Sequence, residues 1–188
     1  MREISFTPIS ESSLIVSQGK TSSLILLEPD KRLRYSYTMN SLSSGVEVSR
    51  KNPNNRRALE INYLSAISIE DNLSSNIPAN KLSIIAKVLS SDGGTRTCAL
   101  NGVFNLLNKS IKDKYYFIAF GLIDEKLIID MNYIEDSSSE VDVPFGIKIS
   151  EGLPSEYTYL QLDGQIRPEK LIEGLLYSEK EIIEAYPK

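Results

Sequence analysis

The segment KVLSSDGGTRTCALNGVF, residues 87–104, carries the strongest local signal in the sequence. Its first residues complete an apolar run over 81–89 that predicts a buried strand, and Gly93 and Gly94 then predict a turn. Residues 95–107 follow with a helical pattern. The free amides and positive dipole end at a helix start form a site for a phosphate-sized anion. The segment therefore predicts a strand, a turn and a helix around an anion site.

Two side chains at the start of this helix strengthen the anion interpretation. Thr95 adds a hydroxyl donor, and Arg96 adds a guanidinium fork that can bind two phosphate oxygens. The glycines let the backbone approach a ligand closely. The alternative is a plain glycine turn in which Asp92 caps the helix. The segment alone leaves both interpretations open.

A second segment, IIDMNYIEDSSSEVDVPFGI, residues 128–147, is rich in carboxylates. Asp136 and Asp142 would lie about 20 Å apart on one straight strand, which is too far to share a site. The serines at 137–139 favour a turn that brings both carboxylates to one end of a sheet. A close pair of carboxylates can hold Mg²⁺ or act in acid–base catalysis.

The alternative for this second segment is an exposed acidic turn with no shared site. Its other two carboxylates, Asp130 and Glu135, are predicted to belong to the solvated surface. The segment alone does not separate a carboxylate site from a solvated turn.

A basic segment runs from Lys31 to Arg57, with seven basic residues against one acid. It also carries Tyr35 and Tyr37, so it can follow a phosphate backbone and stack bases. Charge on solvated loops and strand faces explains the same pattern. The net charge of −4 argues against a general nucleic-acid coat, so any nucleic-acid contact is predicted to be local.

The composition excludes several classes of chemistry. The chain has no histidine, which removes Ser-His-Asp hydrolases, Cys-His proteases and HExxH zinc enzymes. One cysteine, Cys98, cannot form an internal disulfide and fits an intracellular protein. Catalysis must then rest on carboxylates, arginine, lysine, hydroxyls and backbone amides. Carboxylates together with arginines are typical of phosphate chemistry, with or without a hard metal ion.

Length and patterning predict one α+β domain over residues 1–188. The chain has 41% hydrophobic and 24% charged residues, which is enough to bury a core, and no run long enough for a membrane span. Period-two and apolar runs predict strands at 13–17, 22–27, 34–40, 81–89, 115–123, 126–132, 141–149 and 158–162. Helical patterns predict helices at 56–73, 95–107 and 168–185, and the polar stretch 41–55 predicts a loop.

In combination, these segments resemble the ribonuclease PH family. SSDGGTRT, residues 90–97, resembles the family's phosphate-binding signature, and the acidic segment at 128–147 resembles its acidic signature. SRKNPNNRRALEIN, residues 49–62, resembles the arginine-containing helix start, and YLQLDGQIRPEKLIEGL, residues 159–175, resembles the closing strand and helix. The resemblance extends over nearly the whole chain and is nearest to the catalytic type of exosome ring subunit.

The resemblance implies roles for individual residues. Asp142 would be the main catalytic carboxylate, as an acid or a metal ligand, and Asp136 would support it, with Mg²⁺ as the metal both would hold. Arg56 and Arg57 would contact the RNA backbone. Inorganic phosphate, the co-substrate, would be held by four consecutive residues, Gly93, Gly94, Thr95 and Arg96.

The resemblance also implies a reaction and an assembly. Phosphate would attack the last internucleotide linkage at a single-stranded RNA 3′ end and release a nucleoside diphosphate. The chain would work beside other ribonuclease PH-like subunits in a hexameric ring, in the cytoplasm, or in nucleus and cytoplasm if the source is eukaryotic.

Three departures from the family pattern keep a second class open. The usual RPDGR-like stretch does not stand in this sequence, and the loop after the second strand is reduced to residues 28–31. The first helix lacks the arginine that relatives often carry around positions 66–67. These departures predict weaker RNA binding. The alternative is therefore a catalytically inert ring subunit that binds RNA or acts as a scaffold. The combined presence of Arg96, Asp136 and Asp142 favours an enzyme.

Overall fold

The computed structural model describes residues 1–39, 56–73, 82–108, 111 and 113–185. Within these ranges the chain forms ten strands and four helices, arranged as two sheets with helices packed on them. The predicted α+β class is confirmed. The predicted loop at 41–55 lies outside the described residues.

The first sheet has the strand order β1-β2-β3-β5-β4. All its neighbouring strands pair antiparallel except β4 and β5, which are parallel. The intervening helix α1 makes the crossover that a parallel pair requires. The bounds are β1 (Ile4–Ser10), β2 (Ser13–Gln18), β3 (Thr21–Pro29), β4 (Arg34–Met39), α1 (Arg56–Asn72) and β5 (Leu82–Ser90).

The second sheet has the order β10-β8-β6-β7, and β9 also pairs with β8. Its strands are antiparallel, and helix α4 closes the chain after them. The bounds are α2 (Thr95–Leu106), β6 (Lys114–Ile123), β7 (Lys126–Ile129), α3 (Tyr133–Ser138), β8 (Val141–Ser150), β9 (Leu153–Leu160), β10 (Asp163–Gly164) and α4 (Pro168–Ala185).

Helix α2 lies between the two sheets and is enclosed on all sides. Every residue from Arg96 to Phe104 is buried. A helix that is apolar around most of its circumference is stable only inside a core. The side chain of Asn101 joins it to the second sheet, because it donates to the Phe117 carbonyl at 2.8 Å and accepts from the Phe117 amide at 2.8 Å. The helix at 95–107 that the sequence predicted is therefore the central layer of the fold.

The core divides into two clusters on either side of the second sheet. One cluster joins the first sheet, α1 and α2 to Phe117 and Tyr159. The other lies between the opposite face of the second sheet and α4, where Ile182 is buried against Phe120 and Phe145. Among the described helices, none has the length and apolar character that a bilayer crossing requires.

A buried charge joins the start of the chain to the second sheet. The Asp130 carboxylate accepts a hydrogen bond from the Arg2 main-chain amide and an ion-paired hydrogen bond from the Arg2 guanidinium, both at 2.6 Å. It accepts a third bond of 2.6 Å from the Gln18 amide of β2. Only 2% of the Asp130 side chain is exposed, so these donors replace the water that the charge has lost. The network fixes the first sheet against the second.

Most of the predicted elements are confirmed, including the hairpin of β2 and β3, the central helix α2 and the closing helix α4. Three differences among the strands have a physical reason. Strand β1 was not predicted, because six of its seven residues are exposed and Pro8 interrupts the alternation that Ile4 and Phe6 begin. Strand β7 ends at Ile129 because Asp130 takes a left-handed φ of 57°. The last long strand lies at 153–160 instead of 158–162, directly after a two-residue turn.

We predict that Asp130→Asn lowers the free energy of unfolding by about 3–5 kcal/mol. The substitution keeps the size and tolerates the left-handed backbone, but it leaves the largely buried Arg2 guanidinium without its counter-charge. Urea denaturation measures the change. The control is Glu184→Gln, which breaks an exposed ion pair with Lys180 and should change stability by less than about 1 kcal/mol. Equal effects of the two substitutions would contradict the account.

Candidate active site

The surrounding residues fix the backbone conformation of the glycine turn between β5 and α2. Gly93 and Gly94 have φ angles of 76° and 60°, in the left-handed region that favours glycine. A Cβ atom on Gly93 would lie 2.2 Å from the Met131 carbonyl oxygen, so the position also has no room for a side chain. The Thr21 hydroxyl donates to the Gly93 carbonyl at 2.7 Å and accepts from the Asp92 amide at 2.9 Å. The turn is held from both sides.

Helix α2 begins directly after this turn, with Gly94 as its N-cap. No side chain caps this helix start, and the amides of its first turn have no partners within the helix. The Thr95 hydroxyl accepts a hydrogen bond of 2.6 Å from the Tyr37 hydroxyl, so it can direct its own proton elsewhere. The start of α2 therefore supplies backbone amides and a hydroxyl, which are the donor types that anion binding uses.

A cleft of about 70 Å³ brings the two predicted clusters together. The start of α2 contributes Gly94, Thr95, Arg96 and Thr97 to its lining, and the acidic segment contributes Asp136 and Asp142. One water needs about 10–15 Å³, so the cleft has room for a small anion with a few waters. Its lining is Tyr37, Ile61, Gly94, Thr95, Arg96, Thr97, Ala119, Asp136, Asp142 and Pro144. Gly93 lies in the adjoining turn.

Arg96 is the buried cation of this cleft. Its guanidinium forms an ion pair with Asp142, and its other terminal nitrogen donates to the Gln161 side-chain oxygen at 2.6 Å. Only 10% of the Arg96 side chain is exposed. These two bonds use two of the five N–H donors of a guanidinium, so donors remain for an anion.

Gln161 connects the arginine to two further groups. Its side-chain oxygen also accepts from the Tyr159 hydroxyl at 3.1 Å, and its nitrogen donates to the Glu60 carboxylate at 3.2 Å. Burial raises the pKa of Tyr159 to about 12, against a smaller opposing effect of the nearby Arg96. The tyrosine is thus a neutral donor at physiological pH, and the positive charge of Arg96 is the permanent one in this network.

Helix α3 explains how Asp136 reaches the cleft. The sequence predicted a serine turn, but the chain forms a short helix whose N-cap Asn132 accepts from the amides of Ile134 and Glu135. The Glu135 carboxylate in turn accepts from the Asn132 amide at 2.8 Å, which completes a capping box. The helix places Asp136 one turn into its length, and β8 then begins just before Asp142.

The prediction that Asp130 and Glu135 belong to the solvated surface was wrong for Asp130, whereas Glu135 is partly exposed. Asp130 is the buried partner of Arg2, and Glu135 closes the capping box of α3. Asp92 does not cap α2 either. Its carboxylate accepts from the Tyr133 amide at the start of α3, so it connects the glycine turn to the acidic segment.

Sequence reasoning missed three residues of the site network, Tyr37, Gln161 and Glu60. Tyr37 had a signal, since it lies in a predicted strand and in the basic segment, where it was considered for base stacking. Gln161 and Glu60 had none, because a single amide and a single acid have no characteristic spacing. Only the arrangement of β9 and α1 around Arg96 identifies them.

The two predicted RNA contacts, Arg56 and Arg57, form the first residues of α1. Their side chains lie outside the described part of the structure. The helix itself reaches the cleft, because Ile61 lines it. At 1.5 Å per residue the two arginines stand about 6–8 Å along the helix axis from Ile61.

The carboxylates fit a loosely held hard cation and not a closed metal centre. Among the described residues, no group of three or more histidine, cysteine, aspartate or glutamate side chains converges. Asp136 and Asp142 are two oxygen donors on one cleft. Mg²⁺ is commonly bound by one or two carboxylates together with waters and substrate phosphates, so this pair suits Mg²⁺.

The two-sheet α+β frame thus places a glycine turn, a buried arginine and two carboxylates around one small cleft. Comparisons with known proteins show which proteins this chain is similar to. The chain is 32% identical over 76% of its length to "Exosome complex component Rrp41" of Methanosarcina mazei. It is 28% identical over 86% of its length to the protein of that name from Archaeoglobus fulgidus. The chain spans only 29% and 64% of the lengths of these two relatives.

The fold is similar to that of a solved structure. Rice (Oryza sativa) Rrp46 matches with a TM-score of 0.75 and 16% identity, over 97% of this chain and 90% of that one. No protein-family profile matches the sequence. The resemblance to the ribonuclease PH family that the sequence motifs predicted is confirmed by the relatives.

We predict that Gly93→Ala lowers the free energy of unfolding by about 3 kcal/mol. Left-handed backbone costs an L-residue about 1–2 kcal/mol, and the new methyl group must also displace the Met131 carbonyl. Thermal and urea denaturation measure the loss. Ser91→Ala, in the same turn, is the control and should stay within about 0.5 kcal/mol of the parent. A neutral Gly93→Ala would mean that the turn is not fixed as described.

Proposed function

We propose that this chain is a phosphate-dependent 3′-to-5′ exoribonuclease subunit of an exosome-type ring. The observation that carries the proposal is one cleft lined both by Gly94, Thr95 and Arg96 and by Asp136 and Asp142. The first set suits inorganic phosphate as a co-substrate, and the second suits the leaving group of a phosphoryl transfer.

The proposed reaction begins with phosphate at the start of α2. Backbone amides, the Thr95 hydroxyl and the Arg96 guanidinium would hold three of its oxygens, and the fourth would face the RNA. That oxygen forms a bond to the phosphorus of the last internucleotide linkage, and the bond from this phosphorus to the preceding 3′ oxygen breaks. The terminal nucleotide leaves as a nucleoside diphosphate, and the freed 3′ oxygen takes up a proton.

Asp142 is proposed to serve that leaving oxygen. It lines the cleft beside Arg96 and could deliver the proton as a general acid. Asp136, which also lines the cleft, would support it. The alternative role of Asp142 is that of a metal ligand. It would then hold Mg²⁺ together with Asp136, and the ion would supply charge stabilisation at the leaving oxygen.

The ion pair between Arg96 and Asp142 defines what phosphate must do on entry. The two groups neutralise each other's charge. A phosphate dianion offers Arg96 a better bidentate partner than one carboxylate oxygen, so binding would turn the guanidinium toward phosphate. Phosphate would thereby replace Asp142 as the anionic partner of Arg96.

RNA and ring partners complete the proposal. Arg56 and Arg57 are the first two residues of α1, and Ile61 of the same helix lines the cleft. The two arginines would therefore contact phosphates upstream of the RNA 3′ end. The relatives are named as exosome complex components. We infer that this chain likewise assembles with other ribonuclease PH-like subunits in a hexameric ring inside the cell.

The second candidate is a ring subunit that binds RNA or acts as a scaffold without catalysis. The Arg96–Asp142 ion pair favours it, because both groups are satisfied without any substrate. The two candidates differ in what substitution of these two residues does to the assembled ring.

For the catalytic proposal, we predict that Arg96→Ala and Asp142→Asn each lower phosphorolysis by about 10²–10³-fold. Loss of one preorganised electrostatic partner typically costs this much. Arg96→Ala should also raise the phosphate concentration for half-maximal rate, whereas Asp142→Asn should act mainly on the maximal rate. The assay follows nucleoside diphosphate release by the assembled ring, with Glu184→Gln on the exposed end of α4 as the control.

The inert-subunit candidate predicts that neither substitution changes the activity of the ring. Equal rates for the parent and both variants would therefore remove the catalytic proposal. Each variant is first shown by light scattering to form a ring of the same mass as the parent, so that a lost assembly is not read as lost chemistry.

We further predict that replacing Arg56 and Arg57 together by alanine weakens RNA binding about equally for all sequences. Contacts to phosphates carry no sequence information, and two lost contacts should flatten the dependence of log affinity on log salt by up to about 2 units. Fluorescence anisotropy with two unrelated single-stranded RNAs at several salt concentrations measures both effects. Unchanged affinity and salt slope would assign the arginines to the solvated surface.

A further inference from the structure

We propose that Gln161 is a positioning residue that aims the Arg96 guanidinium into the cleft and, by being neutral, preserves its charge for an anion. The inference rests on the proposed function in one respect, namely that phosphate is the ligand of Arg96. Gln161 does not itself line the cleft. It lies between β9 and β10, and its side-chain oxygen accepts from Arg96.

The orientation of the Gln161 amide is fixed by its neighbours. Arg96 and the Tyr159 hydroxyl both approach the amide oxygen, at 2.6 and 3.1 Å. Arginine can only donate, so the atom facing it must be an acceptor. Glu60 lies 3.2 Å from the amide nitrogen, and its carboxylate can only accept. A flipped amide would face donor to donor and acceptor to acceptor, so one orientation alone satisfies all the groups.

The main chain of Gln161 is anchored as well. Its amide donates to the Pro144 carbonyl of β8 at 3.0 Å, and the residue is only 8% exposed. Tyr159 is 4% exposed and belongs to the apolar cluster around α2. The hydrogen bond to Arg96 is therefore made from a rigid base, and it restrains one terminal nitrogen of the guanidinium while the other pairs with Asp142.

The charge of the residue at 161 decides how much attraction Arg96 retains. Arg96 has one carboxylate partner, Asp142, and one neutral partner, Gln161. A second carboxylate at 161 would compete with phosphate for the same guanidinium and would also face Glu60 across about 3 Å. An amide supplies an acceptor of the same shape without that charge. A glutamine thus orients Arg96 without neutralising its positive charge, so the guanidinium can still attract an anion.

The test compares two substitutions of nearly equal size on the full chain. Gln161→Met removes the hydrogen bonds and keeps the neutral side chain, whereas Gln161→Glu keeps an acceptor and adds a charge. The matched control is Gln165→Glu, which adds the same charge at an exposed position four residues away. Inorganic phosphate is the probe, and isothermal titration gives its dissociation constant without any need for catalysis.

We expect Gln161→Glu to weaken phosphate binding by at least about ten-fold, because the added charge competes for Arg96. We expect Gln161→Met to weaken it by about three- to ten-fold, which corresponds to the net contribution of a typical hydrogen bond. Gln165→Glu should bind phosphate as the parent does. Where the ring is active, both substitutions at 161 should raise the KM for phosphate and leave kcat within about three-fold. A residue with a merely structural role would not separate KM from kcat in this way.

Phosphate binding within two-fold of the parent in both substituted chains would overturn the inference, and so would loss of the folded state in both, judged by thermal unfolding. A parent chain that binds phosphate, in an assembled ring that releases no nucleoside diphosphate, would refute the proposed function, while the binding comparison would still decide the role of Gln161. A parent chain that binds no phosphate would refute both.

Discussion

The structure depends most on the buried carboxylate of Asp130. It accepts hydrogen bonds from the Arg2 main-chain amide, the Arg2 guanidinium and the Gln18 side-chain amide. These bonds join the start of the first sheet to the end of β7 in the second. Arg2 also donates to the Asp92 carbonyl at 2.5 Å, directly before the glycine turn. A buried charge without partners costs several kcal/mol, so the chain must bring these three segments together whenever it folds. The geometry of the turn follows from that constraint.

The site inherits its rigidity from this arrangement. Helix α2 is enclosed between the sheets, its start is held by the glycine turn, and Asn101 fixes it to β6. The acidic segment reaches the cleft through α3, whose first amide is bound by Asp92 of the same turn. The start of α2 and the start of α3 are therefore both anchored to the glycine turn. An anion site and a carboxylate pair can keep a constant separation only if they share such a support.

Much of this organisation could be predicted from the sequence. The contacts that could not be predicted join residues that are far apart in sequence. Strand β5, the turn and α2 are adjacent in the chain, so local pattern was sufficient to predict them. Asp136 and Asp142 were identified with Arg96 through the family resemblance, and the cleft brings all three together. Asp130 was misjudged because its partners, Arg2 and Gln18, are over 100 residues away in sequence. Gln161 and Glu60 were missed for the same reason. They lie directly after β9 and in α1, far in sequence from Arg96, and only the fold brings them into its hydrogen-bond network.

The central claim is that the cleft between α2 and the acidic segment uses phosphate, and not water, to cleave RNA. The most direct test is to incubate the assembled ring with 3′-labelled single-stranded RNA, with and without inorganic phosphate, and to identify the labelled product. The account predicts nucleoside diphosphates that form only when phosphate is present. Nucleoside monophosphates, formed equally with and without phosphate, would indicate hydrolysis and contradict the account.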